Sequence, residues 1–146
     1  MELIDTQISE EHVQDSRSPL ILAVEDNEDN LLLMQYALES LNCKFICQKD
    51  SYGTFLIAKE RQPNLILLDV LLPGQSGLDV VKLLKDEPLT RNIPVIAVTA
   101  LAGAEEREEI LLAGFDDYIC KPFMIEEFES KIYEYLYKKS HSPASR

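Results

Sequence analysis

The sequence contains no apolar run near the roughly 18 residues that a membrane-spanning helix needs. Its first residues, with Glu2, Asp5, Glu10 and Glu11, lack the basic start of a signal peptide. Cytoplasmic residence without membrane insertion is the expectation. Cysteine is scarce: Cys43, Cys47 and Cys120 are odd in number, lie in apolar stretches and show no C-x-x-C spacing. Zinc binding and dithiol redox chemistry therefore lack a ligand set, and the three read as reduced packing residues. Basic residues number 14 against 26 Asp and Glu, and a net charge of −12 opposes direct nucleic-acid binding. The glycines form neither G-x-G-x-x-G nor G-x-x-x-x-G-K, which excludes the usual dinucleotide loop and the P-loop. Internal repeats and low-complexity tracts are also missing from the central part.

What is present is the composition of an ordinary globular chain. Its 146 residues are 46% hydrophobic and 27% charged, enough to bury one core without disulfides. From Leu20 onward, short apolar β-rich runs at 20–24, 45–47, 65–68, 94–98 and 117–119 alternate with longer amphipathic segments. Five βα units in this order predict an α/β fold whose parallel sheet is covered by helices on both faces. Leu31, Met34, Leu38 and Leu41 recur at helical spacing, and Asp26, Glu28 and Asp29 suit the positive end of that first helix. Ser51 is expected to cap a second helix running to about Arg61, Ser76 a third through Leu84, and Gly114 to close a fourth. A fifth places Ile125, Phe128, Ile132 and Tyr135 on one face and ends near Lys138. The acidic stretch 1–18 and the Ser/Pro-containing 139–146 show no sustained periodicity, so mobile tails are expected on either side of one domain at 19–138.

In an open parallel sheet, sites gather at the carboxyl ends of strands. Glu25 and Asp26 follow the first run, Asp69 the third, Thr99 the fourth and Lys121 the fifth. A strand-end Asp by itself commonly caps a turn. Three converging carboxylates are different, since at 4 Å each pair repels by roughly 1 to 4 kcal/mol unless a cation intervenes. Mg²⁺ suits such a set, because it takes one or two carboxylates, keeps several waters and accepts a phosphate oxygen. Lys121 adds a positive charge and Thr99 a hydroxyl donor for a transferring phosphoryl group, with Asp69 as its nucleophile.

These residues resemble the response-regulator receiver family of two-component signalling across nearly the whole core. The matching stretches are V-E-D-N at 24–27, L-L-D-V-L-L-P-G-Q-S-G at 67–77, V-T-A at 98–100 and K-P-F at 121–123, with 30 positions from Asp69 to Thr99 and 22 from Thr99 to Lys121. The resemblance implies a flavodoxin-like (βα)5 fold with strand order 2-1-3-4-5. It further implies a stand-alone switch, part of a phosphorelay, in which Asp69 accepts phosphate from a sensor histidine kinase or a histidine phosphotransfer protein. Asp26, Asp69 and the backbone carbonyl of Leu71 would surround Mg²⁺, or Mn²⁺ in its place, with Glu25 acting through water. Thr99 and Lys121 would contact phosphoryl oxygens. Tyr118 occupies the aromatic position that moves inward with the threonine, and Lys121-Pro122 corresponds to a cis peptide. Output would pass to a downstream protein through the face of helix four, strand five and helix five. The aspartyl phosphate would form and hydrolyse through the chain's own site, without conventional enzymatic turnover. Glu25 stands where the family usually has Asp, and Leu71 and Leu101 hold positions that tune water access, so the phosphoryl lifetime does not transfer.

Other readings divide on particular residues. A haloacid-dehalogenase-like phosphatase needs a second Asp two residues after the first, and Leu71 stands there. A flavin phosphate would be repelled by the acidic loop 25–29. A scaffold that keeps the fold and binds partners without phosphorylation stays open, as does a Lys121 that simply pairs Asp69 in the resting protein. His12 and His141 fall in the expected tails. Glu105, Glu106, Glu108 and Glu109 suit the start of helix four. Tyr133, Tyr135 and Tyr137 lie on helix five, where they either complete the core or support a homodimer.

Overall fold

The computed structural model describes residues 18–101 and 103–137. The expected tails, apart from Ser18, lie outside the described residues, and so do His12 and His141. Five strands, β1 (Leu20–Val24), β2 (Lys44–Gln48), β3 (Leu65–Leu68), β4 (Val95–Thr99) and β5 (Asp117–Cys120), alternate with five helices. The helices are α1 (Glu28–Ser40), α2 (Thr54–Arg61), α3 (Gly77–Asp86), α4 (Ala104–Ala113) and α5 (Ile125–Tyr137). All strand pairs are parallel and the order is β2-β1-β3-β4-β5. This is the doubly wound α/β fold expected from the alternation, in the expected strand order.

Strand parity divides the core in two. Side chains alternate between sheet faces along a strand, so Ile21, Ala23, Leu65, Leu67, Ile96 and Val98 face one layer. There they meet Leu31, Met34 and Leu38 of α1 and Phe128 and Ile132 of α5. Leu22, Ile66, Leu68, Val95 and Ala97 face the other layer and meet Ala58 of α2, Val80, Val81 and Leu84 of α3, and Ile110 of α4. The inner strands β3 and β4 are buried at every residue, whereas the edge strand β2 is only half-buried throughout. That difference follows from parallel sheets being covered on both faces except at their edges. Among the described residues, no helix is long and apolar enough to cross a membrane.

The caps explain where helices begin and end. Asn27 caps α1 by accepting the Asn30 N–H at 2.9 Å, which leaves Asp26 outside the helix, with Glu28 and Asp29 in its first turn. Ser76 caps α3 as expected, accepting from Leu78 N at 3.1 Å. Gly114 ends α4 at φ +123°, a conformation that a side chain would strain. Ser51 does not cap α2. That helix starts after Gly53 without a side-chain cap, and the buried Ser51 instead donates its hydroxyl to Pro73 O at 3.1 Å. A serine hydroxyl satisfies whichever backbone group the fold brings near, and here that group belongs to the loop beyond β3.

On α5, Tyr135 reaches the core and its hydroxyl donates to Asp117 at 3.1 Å. Tyr133 and Tyr137 lie half-exposed with ring centroids 4.9 Å apart.

Candidate functional site

Backbone bonding carries two strands past their formal ends and sets the carboxylates side by side. Glu25 N donates to Gln48 O at 2.9 Å and Asp69 N to Val24 O at 3.2 Å. Glu25, Asp26 and Asp69 each place a carboxylate oxygen within 4.8 Å of the others. Glu25 is wholly buried and Asp69 is 4% exposed, while Asp26 faces solvent. The end of α3 presses against this corner: a Cβ on Gly77 would stand 2.5 Å from Asp69 O and 2.8 Å from Val70 Cα, so only glycine lets the helix approach this closely.

Lys121 is the counter-ion. Its Nζ donates to Asp69 Oδ2 at 2.7 Å and to Glu25 Oε2 at 3.0 Å. Glu25 Oε1 also lies 2.9 Å from that nitrogen, an ion-pair distance, yet it receives no hydrogen bond. Burial is the largest single influence on the ammonium and opposes its charge, but the bonds and charges of Asp69 and Glu25 together raise its pKa above the ordinary 10.5. The sequence left open whether Lys121 pairs Asp69 in the resting protein, and here it does. Asp69 Oδ1 accepts the Leu71 N–H at 3.0 Å, and Glu25 Oε2 accepts that of Asn27 at 3.0 Å. The loops after β1 and β3 thus orient their own carboxylates.

Thr99, Leu71 and the Lys121-Pro122 peptide occupy the same edge. Thr99 ends β4, is 1% exposed, and its Oγ1 accepts the Leu101 N–H at 3.3 Å. Its carbonyl accepts the Lys121 N–H at 2.9 Å, which ties the ends of β4 and β5 together. The Lys121-Pro122 peptide is cis. Leu71 follows Asp69 in the loop with its side chain 60% exposed. Tyr118 stands apart from the carboxylates on β5, opposite Ala97 in register, where its hydroxyl accepts from Arg107 Nη1 at 3.3 Å. Arg107 was not legible as a partner, because nothing local links a helix arginine to a strand tyrosine eleven positions on. Asn27 could have been found, as it lies in the V-E-D-N stretch and serves both α1 and Glu25.

The donor set fits a hard cation. It offers three carboxylates, and one buried oxygen, Glu25 Oε1, has no hydrogen-bond donor. A cavity of about 590 Å³ opens at the opposite edge, beside Pro19, Asn42, Asn64 and Tyr137, and shares no residue with this cluster. Chemistry therefore points to the carboxyl edge and not to this cavity.

Comparison with known proteins converges on the same region. The response regulator receiver domain family matches residues 21–133. The polar-differentiation response regulator DivK of Brucella anthropi is 40% identical over 116 residues, covering 80% of this chain and 94% of that protein. The receiver domain of the sensor histidine kinase PA1611 from Pseudomonas aeruginosa, which carries a magnesium ion in its active site cleft, aligns with a TM-score of 0.75 at 30% identity, covering 81% of this chain and 97% of that one. The phosphorylated cyanobacterial phytochrome response regulator RcpA aligns with a TM-score of 0.68 at 26% identity, covering 81% of this chain and 93% of that one. Because the family match takes in all five strands save the first residue of β1, and the whole carboxylate edge, this chain belongs to the response regulator receiver family of two-component signalling.

Proposed function

We propose that Asp69 accepts a phosphoryl group from a phosphohistidine on a sensor histidine kinase or histidine phosphotransfer protein, and that the phosphorylated form is read by another protein. The observation that carries this reading is the Asp69 carboxylate, nearly buried, paired to Lys121 at 2.7 Å and gathered with Glu25 and Asp26. Asp26, Asp69 and the Leu71 carbonyl would hold Mg²⁺, or Mn²⁺ in its place, with Glu25 reaching it through water. When bound, the ion supplies positive charge against the carboxylates and the phosphoryl oxygens.

The chain's own groups position the transfer. An Asp69 oxygen forms the new O–P bond as the N–P bond of phosphohistidine breaks, and the imidazole leaves with the electron pair and keeps its ring proton. Lys121 can then move its ammonium from the carboxylate to a phosphoryl oxygen. The Thr99 hydroxyl, which accepts from Leu101 through oxygen, retains its hydrogen to donate to another. Hydrolysis of the acyl phosphate by water in the same site restores Asp69. Moving a two-state equilibrium from 1:99 to 99:1 takes about 5.5 kcal/mol, which a few charge-assisted bonds can supply. The face of α4, β5 and α5 is the proposed output surface, because Thr99 is joined to α4 through residues 100–103 and to β5 through Lys121. The setting is the cytoplasm, where ATP-fed kinases form phosphohistidine.

Incubation with Mg²⁺ and acetyl phosphate should add one phosphoryl group by intact mass, and Asp69→Asn should abolish the gain. No gain from acetyl phosphate or from a competent kinase would leave a scaffold that binds partners without phosphorylation.

A further inference from the structure

Helix α4 is lightly held. Ile110 is its only fully buried side chain, whereas α1 and α3 each bury four residues. Its surface carries the exposed Glu105, Glu108 and Glu109 and the half-buried Glu106 around Arg107. An arginine in that setting has acidic neighbours on its own helix to pair with. Its guanidinium reaches across to β5, with Nη1 donating to the Tyr118 hydroxyl at 3.3 Å and Cζ lying 5.7 Å from the ring centroid. The two contacts fix both the end and the face of one side chain. Tyr118 itself packs against the apolar layer beneath α4 and is half-buried.

The location gives this tie a consequence. Residues 100–103 connect the buried Thr99 to α4, and the Thr99 carbonyl holds the Lys121 N–H beyond β5. Any displacement at Thr99 therefore pulls on α4 from one side, while Arg107 holds that helix to β5 from the other. We propose that Arg107 is a positioning residue, a latch that keeps Tyr118 at the α4 face and thereby biases the unmodified chain toward its resting arrangement. Its effect on switching rests on the reading of Asp69 as phosphoacceptor, but its effect on α4 does not. Cation–aromatic contacts at exposed sites are weak, so the latch tunes the equilibrium by a small factor.

Two measurements on the full chain test this. The first is hydrogen exchange of α4 amides, without a phosphodonor, in wild type, Arg107→Ala, Tyr118→Phe and the double variant. Each single change should speed α4 exchange, Arg107→Ala by about two- to fivefold and Tyr118→Phe by no more than that, with β1 and β3 unchanged, and the double variant should match Arg107→Ala. Unchanged exchange in Arg107→Ala, or fully additive effects, would overturn the latch. The second is a titration with beryllofluoride, an anion that mimics the phosphoryl group, in the presence of Mg²⁺, followed by ¹⁹F resonances of 3-fluorotyrosine. Arg107→Ala should reach half-saturation at about two- to fivefold lower beryllofluoride, because less resting-state stabilisation opposes it. General destabilisation would not tighten binding, so equal or weaker binding would also overturn the proposal. If wild type neither binds beryllofluoride nor takes up phosphate, the phosphoacceptor reading fails, while the exchange cycle still decides whether the latch exists.

Discussion

Lys121 lies within 3.0 Å of two carboxylates that belong to different strands, and its bonds make the resting site a closed ion cluster. Lys121→Gln keeps polarity, shortens the side chain by one atom and removes the charge. The three carboxylates then lack their internal cation, so Mg²⁺ should bind several-fold more tightly by calorimetric titration, even as phosphoryl transfer from acetyl phosphate slows. An unchanged or weaker Mg²⁺ affinity would show that the ammonium does not oppose the metal.

The same lysine has a definite alkaline signature. Its pKa is raised in the fold, so its stabilisation is complete below the unfolded value of about 10.4 and is lost as pH rises through the folded one. Burial likewise pushes the Cys43 thiol up to about 11 from 9.0, so its contribution begins to fall near pH 9. Urea midpoints should therefore hold to about pH 9 and decline beyond it, and Cys43→Ala should flatten the first part of that decline.

At the scale of elements, the start of α3 packs closely on the backbone that leaves β3. With a Cβ on Gly77 only 2.5 Å from Asp69 O, Gly77→Ala forces backbone to move, at a cost of about 1–3 kcal/mol. Because the displaced carbonyl belongs to Asp69 itself, loss of acetyl phosphate reactivity should exceed what the fall in stability explains. Intact mass and a urea midpoint measured on one sample separate the two. Ser76→Ala removes the cap of the same helix and should cost about 1 kcal/mol while leaving the Asp69 backbone in place. The two substitutions sit one residue apart and differ in kind, since one tests packing against the site and the other helix formation alone.

For the whole molecule, the two apolar layers lie on opposite faces of the sheet, and Phe128 is among the largest side chains buried in the first. Phe128 is fully buried and its ring stacks on Phe123 with centroids 5.0 Å apart. Phe128→Ala should destabilise the chain by about 3–5 kcal/mol, read from a lowered urea midpoint at unchanged slope. Because Phe123 lies two residues beyond Lys121, this variant should also loosen the connection between α5 and the site, seen as faster hydrogen exchange after β5.

Strand positions, their parallel pairing and the carboxyl-edge placement of Glu25, Asp26, Asp69, Thr99 and Lys121 were legible from sequence, because apolar period and spacing are local properties that burial on both faces leaves little room to vary. Ser76 and Gly114 were legible for the same reason, as cap residues beside periodic segments. Ser51 was misread because its hydroxyl answers to Pro73, a residue that only the folded chain brings near. The choice by Lys121 of both Asp69 and Glu25, and the reach of Arg107 to Tyr118, were likewise decided by tertiary structure. Sequence thus determined which chemical groups the edge would carry. Which of those groups neutralise, tether or oppose one another depends on distances across strands and helices, and those exist only after the sheet has formed.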